Sequence, residues 1–133
     1  MRLPAKFVEC WEKAGKPELF VTTFDERVAR IYFMPNWQET KARLQAKRGE
    51  ASARNIFLFA NYYGEACTVD NQGRLLMPTN LRRKLGFENG QVQMLGMGAR
   101  IDIYGEAGLQ EQMALARPTL DTAVNDLDAW GIG

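Results

Sequence analysis

The sequence predicts an α+β fold made of two similar units, and three features of its 133 residues carry that prediction. Sliding the chain against itself aligns Pro4 to Leu44 with Pro78 to Ala114. Each has a proline opening a short helix, a glycine-containing turn, two strands and another helix. QVQML (91–95) and RIDIY (100–104) alternate with the two-residue period of a half-buried strand. Between the units, SARNIFLFANYY (52–63) places Ile56, Phe57, Phe59 and Ala60 on an apolar helical face.

In chain order, Leu3-Pro4 starts a helix through KFVECWEKAG, because the missing N–H of proline costs nothing in a first helical turn. LFVTT (19–23) and VARIYF (28–33) are β-branched and aromatic runs flanking a turn at Phe24 to Arg27. Met34-Pro35-Asn36-Trp37 opens the next helix, QETKARLQAKR. EACTV (65–69) suits a short strand, Asp70-Asn71-Gln72-Gly73 is a turn cluster, and the strand resumes at Arg74 to Met77. Pro78 then opens a helix that stops at Gly86 and is too short to persist without tertiary packing. Glu88-Asn89-Gly90 is a turn before the last two strands, and Gly105 gives way to the helical stretch LQEQMALA. Beyond Arg117, with Pro118, Gly131 and Gly133, poor order is expected, although Leu120, Val124, Leu127 and Trp130 have the spacing of a weak apolar stripe. The expected organisation is a first unit over 1–50, a linking helix over 51–63, a second unit over 64–116 and an acidic tail over 117–133.

Composition removes much of enzymology. The chain has no histidine, hence neither the commonest general base, nor the Ser-His and Cys-His nucleophile pairs, nor most zinc sites. Cys10 and Cys67 lack the spacing of a metal knuckle or a disulfide framework, so buried free thiols are expected. Asp121, Asp126 and Asp128 lack the spacing and closing glutamate of a calcium loop, and Gly86, Gly90, Gly96 and Gly98 form no dinucleotide fingerprint. No cofactor, metal or small-molecule substrate is expected. The apolar runs fall short of the roughly eighteen residues that a membrane crossing needs, and no signal layout opens the chain, so a cytoplasmic protein is expected. Net charge is +1, yet five acids face one base from Glu106 onward while Met1 to Gly105 carries +5. A mildly basic body precedes an acidic tail.

The distinctive chemistry lies between Asp70 and Lys84. Arg74, Arg82, Arg83 and Lys84 place four positive charges in eleven residues, opposed only by Asp70. Guanidinium groups on a rigid hairpin can meet guanine edges bidentately while basic residues on a helix neutralise phosphates, so such a surface suits duplex DNA. A plainer reading has Arg74 bridging Asp70 across its own turn and the basic triplet as a solvated helix face. Lys41, Arg43, Lys47, Arg48 and Arg54 form another basic stretch, opposed by Glu50. Tyr62 and Tyr63, beside an apolar helix, are assigned to packing. Trp37, Phe57, Phe59, Met94, Met97 and Tyr104 are assigned to the core or to subunit contacts.

The stretch VDNQGRLLMPTNLRRKLGFENGQVQMLGMGARIDIY resembles AbrB-like transcription factors, whose pattern is a strand, D-x-x-G-R, three residues, proline and an L-R-R-like helix. Two such halves in one chain are similar to the MraZ family, with RIYFMPNW and RIDIYGEAGL in the expected places, over roughly residues 2 to 115. The resemblance implies a two-repeat swapped-hairpin β-barrel with flanking helices, and a sequence-specific DNA-binding transcriptional regulator rather than an enzyme. It implies that Arg74 contacts DNA, that Arg82, Arg83 and Lys84 contribute from the helix, that Asp70 and Gly73 shape the turn, and that Pro78 starts the helix. It further implies double-stranded direct repeats upstream of the division and cell-wall gene cluster, a ring-like homo-oligomer, and a nucleoid-associated place in the cytoplasm.

The first half departs from that pattern, since only Met1 and Arg2 stand where the second has CTVDNQGRLL. A missing strand would leave an unpaired edge. A start codon read too far downstream, a chain that works with one arm, or an edge filled by another protomer each account for this, and the first is expected. Two alternative functions stay open: an AbrB-like antitoxin with a toxin-binding tail, and a structural or protein-interaction barrel that has lost DNA binding.

Overall fold

The chain runs α1 (Ala5–Lys13), β1 (Leu19–Thr23), β2 (Ala29–Phe33), α2 (Met34–Ala46), α3 (Ala51–Tyr63), β3 (Glu65–Cys67), α4 (Thr79–Lys84), β4 (Val92–Gly96), β5 (Arg100–Gly105), α5 (Glu106–Ala116) and α6 (Leu120–Ala129). The structure, a computed structural model, describes residues 1–87, 91–97 and 100–132. The expected turn at Glu88 to Gly90 and the glycine at Gly98 lie outside the described residues.

The β-branched and aromatic strands β1 and β2 send alternate side chains to two covered faces. The hairpins β1–β2 and β4–β5 meet where β2 pairs antiparallel with β5, setting Ile31 opposite Ile101 and Ala29 opposite Ile103. β3 joins the other edge of β1, giving one antiparallel sheet in the order β3-β1-β2-β5-β4. This is the α+β plan expected of the AbrB-like resemblance. Among the described residues, however, the five strands form an open sheet, not a closed barrel.

On one face, Leu19, Val21, Ala29, Ile31, Ile101 and Ile103 pack with Leu3, Leu75, Met77, Leu81 and Phe87. This core anchors both flanks of α4. On the other face, Tyr32 packs with Trp37 of α2 and Ala60 of α3, and Phe20 stacks on Trp37 at 4.4 Å. The α3–β1 approach is close enough that a Cβ on Gly64 would lie 2.2 Å from Phe20 Cζ and 2.4 Å from the Ala60 carbonyl oxygen. Thr22, wholly buried, donates its hydroxyl to that carbonyl at 2.8 Å. Thr22→Val keeps the shape and removes the donor, so unfolding in urea is expected to lose about 0.5–1.5 kcal/mol with the m-value unchanged.

Several expectations need correction. After Arg117 the chain is helical: a 3-10 turn at Arg117–Thr119 leads into α6, and Gly131 follows its end at φ +74°. Pro118 in an opening turn and glycine past a C-terminus are favourable placements, so residues that suggested disorder instead bracket a helix. The stripe Leu120, Val124 and Leu127 lies on that helix, with Trp130 at its C-cap, and is exposed. Phe59, assigned to the apolar face of α3, is also exposed, because Ala53 and Ala60 are the residues turned inward. Cys10 is exposed, as α1 packs through Phe7, Val8 and Trp11. Cys67 is half-buried, and burial pushes its thiol up to about 11. The strand expected over 65–69 shortens to Glu65–Cys67, while Val69 and Leu75 meet in an isolated bridge. Finally, the expected bare edge is partly filled. Leu3 N–H donates to the Gly73 carbonyl at 3.0 Å, and Leu75 N–H to that of Met1 at 2.7 Å.

Candidate nucleic-acid interface

An aspartate at the start of a tight turn can accept from the backbone N–H groups that follow it. Asp70 does this twice with Oδ1, from Gln72 at 2.8 Å and Arg74 at 3.0 Å, while its Oδ2 accepts from Arg74 Nε at 3.0 Å. Two backbone bonds close the loop: Asp70 N–H to the Arg74 carbonyl at 2.9 Å, and Gly73 N–H to the Asp70 carbonyl at 3.1 Å. Gly73 sits at φ +74°, a conformation that costs an L side chain free energy. The Arg74 backbone N–H, ahead of the other donors, holds the Asp70 carboxyl below the usual carboxylate range. The turn bridge considered for Arg74 is therefore present. It engages Nε, leaving Nη1 and Nη2 uncommitted to Asp70 on a side chain that is 52 % exposed.

The next residues alternate as an extended segment should. Arg74 and Leu76 are exposed, whereas Leu75 and Met77 are buried. Leu76 therefore shares the face of Arg74, and it is 79 % exposed. Arg2 stands directly opposite Arg74 in an antiparallel bridge, so two arginines rise from one patch. Like charges placed opposite one another are unfavourable without an anion between them. Sequence reasoning assigned no role to either Arg2 or Leu76. For Leu76 the signal was available, since a residue between two core positions of a strand must point away from the core.

The other basic residues stand on α4. Buried Pro78 precedes this helix, wholly buried Leu81 anchors it, and a Schellman pair ends it. Phe87 N–H donates to the Arg82 carbonyl at 3.0 Å and Gly86 N–H to that of Arg83 at 3.2 Å, with Gly86 at φ +71° and Phe87 buried. Arg82 is half-buried, and its Nε is buried without a hydrogen-bond partner among the described residues. Arg83 and Lys84 are exposed, and Lys84 Nζ lies 3.5 Å from Glu26 Oε2. The structure thus joins Asp70, Gly73 and Arg74 in one turn and holds Arg82, Arg83 and Lys84 on a separate short helix. The basic stretch of α2 and α3 is partly engaged locally, with Arg43 on Glu39 at 2.7 Å and Arg54 on the Arg48 carbonyl at 2.9 Å. Among the described residues, no three His, Cys, Asp or Glu side chains gather as a metal site, and no helix is long and apolar enough to cross a membrane.

Residues 63–123, which include both the turn and α4, match a family model described as "MraZ protein, putative antitoxin-like". Three proteins named transcriptional regulator MraZ illustrate the wider similarity. That of Acidobacterium capsulatum is 29% identical over 116 residues, spanning 86% of this chain and 79% of that protein. That of Herpetosiphon aurantiacus is 31% identical over 137 aligned positions, spanning 99% and 90% respectively. That of Anaeromyxobacter dehalogenans is 32% identical over 119 residues, spanning 87% and 81%.

Proposed function

Because the chain belongs to the MraZ family of transcriptional regulators, we propose that it binds double-stranded DNA sequence-specifically through the Asp70–Arg74 turn and α4. The observation that carries this reading is the Asp70 carboxylate holding the Arg74 guanidinium by Nε. An arginine already restrained in this way loses less rotamer freedom when its remaining nitrogens meet guanine O6 and N7. Leu76, on the same face, supplies apolar contact to a thymine methyl, and Arg2 adds charge beside Arg74. Arg82, Arg83 and Lys84 supply the positive face for phosphates, which sets register without reading sequence.

The sites of this reading are direct repeats upstream of the division and cell-wall genes, within the nucleoid. A ring-like homo-oligomer would present several arms at once, so that effective concentration compensates for weak single arms. The charge of +5 over Met1 to Gly105 suits that phosphate-facing role. For Arg83→Ala, affinity for specific and scrambled duplexes is expected to fall together, and the slope of log K against log salt to flatten by about 0.9. Fluorescence anisotropy between 50 and 200 mM salt reads both quantities. A loss confined to the specific duplex would contradict the phosphate role.

A second, antitoxin-like reading draws on α6, whose exposed Leu120, Val124, Leu127 and Trp130 offer an apolar surface to a partner. It requires a small basic protein to copurify and to be lost when that stripe is made polar.

A further inference from the structure

The turn between β1 and β2 is built to aim one side chain. Thr23 Oγ1 donates to the Val28 carbonyl at 2.7 Å and accepts from Glu26 N–H at 3.1 Å, while Asp25 Oδ1 accepts from the N–H groups of Arg27 at 3.0 Å and Val28 at 3.1 Å. Glu26 is thereby held at φ +61°, where a residue with a Cβ and no local side-chain turn bond is uncommon. Backbone held in a costly conformation by its surroundings points to a task for the residue. The side chain shows which. The Tyr63 hydroxyl at the end of α3 donates to Glu26 Oε2, and Lys84 Nζ at the end of α4 lies 3.5 Å from the same oxygen. One carboxylate thus ties the first hairpin and the linking helix to the last residue of the basic helix. The hydrogen bond to Glu26, with burial behind it, pushes the Tyr63 phenol up to about 12.

Stability does not account for the Lys84 contact. The Lys84 and Glu26 side chains are 51% and 30% exposed, and an ion pair so open to water contributes little to folding. Resting on the reading of α4 as a phosphate-binding helix, we propose that Glu26 is a positioning residue that occupies Lys84 in place of a DNA phosphate. DNA docking then exchanges a carboxylate for a phosphate at Lys84 Nζ. Tyr63 keeps the displaced carboxylate hydrogen-bonded, and the exchange lowers the affinity of each arm for all sequences alike. Weak individual arms suit a protein that binds arrays of repeats, because avidity then separates an array from a single chance site.

The test uses the full chain, a duplex of several direct repeats from upstream of its own gene, and a scrambled duplex. Glu26→Gln is expected to bind both about two- to fivefold more tightly, with a salt slope steeper by about 0.9. Adding Lys84→Gln to that variant cancels both gains, which a merely structural role for Glu26 would not produce. The Tyr63 phenol, isolated by difference against Tyr63→Phe, falls in Glu26→Gln from about 12 towards the ordinary tyrosine value of about 10. If the native chain binds DNA while Glu26→Gln leaves affinity and slope unchanged, the exchange is overturned and the DNA-binding reading stands. If the native chain binds neither duplex at low salt, the reading of α4 fails and the exchange fails with it.

Discussion

Arg74→Ala is expected to weaken binding to the specific duplex by about 1–3 kcal/mol while binding to scrambled DNA changes much less. The asymmetry follows from the turn. Asp70 binds Nε and the Arg74 backbone N–H together, so the guanidinium is held before DNA arrives. On the proposed reading, it then contributes a directed pair of hydrogen bonds, which only the correct base accepts. Arg74→Lys separates directed contact from charge, because lysine keeps the charge and lacks the planar fork. Lysine is expected to keep binding to scrambled DNA at the native level without restoring discrimination. Equal losses on both duplexes for Arg74→Ala would show that Arg74 meets phosphate rather than bases.

Leu81→Ala is expected to cost about 2–5 kcal/mol of folding stability in urea denaturation. Leu81 is wholly buried among Leu75, Met77, Phe87 and the sheet residues, and it is the one buried residue of the six-residue α4. A helix this short has no independent stability, so its place depends on that side chain. Loosening it removes the platform under Arg82, Arg83 and Lys84, while the Asp70–Arg74 turn keeps its own hydrogen bonds. The folded variant should therefore lose affinity for every duplex but keep its preference for the specific one. A stability loss below about 1 kcal/mol would mean that α4 is anchored mainly by its flanking Pro78 and Phe87.

Much of this architecture is legible in the sequence because the relevant forces are local. LFVTT folds as the strand Leu19–Thr23, and Gly86 stops α4 because its left-handed backbone completes the Schellman pair. The openness of the sheet was not legible, since closure depends on long-range pairing and not on the period within a strand. In the tail, Pro118 and Gly131 have opposite meanings inside and at the ends of a helix, and composition alone could not place the ends. At the site, D-x-x-G-R marked the turn. The cross-strand neighbour Arg2 became visible only once Met1 to Leu3 were seen to pair with Gly73 to Leu75. Glu26 escaped sequence reasoning for a similar reason, because its partners Tyr63 and Lys84 lie 37 and 58 residues away and nothing near it signals a left-handed backbone.

The most direct test of a sequence-specific regulator is a titration of the unmodified chain against a fluorescent duplex of several direct repeats from its own upstream region, beside a scrambled duplex, at two salt concentrations. The expected result is a clear preference for the repeats at both salts, with affinity falling steeply as salt rises. Equal affinity for the two duplexes, or binding to neither, would contradict it and direct attention to the exposed stripe of α6 and a protein partner.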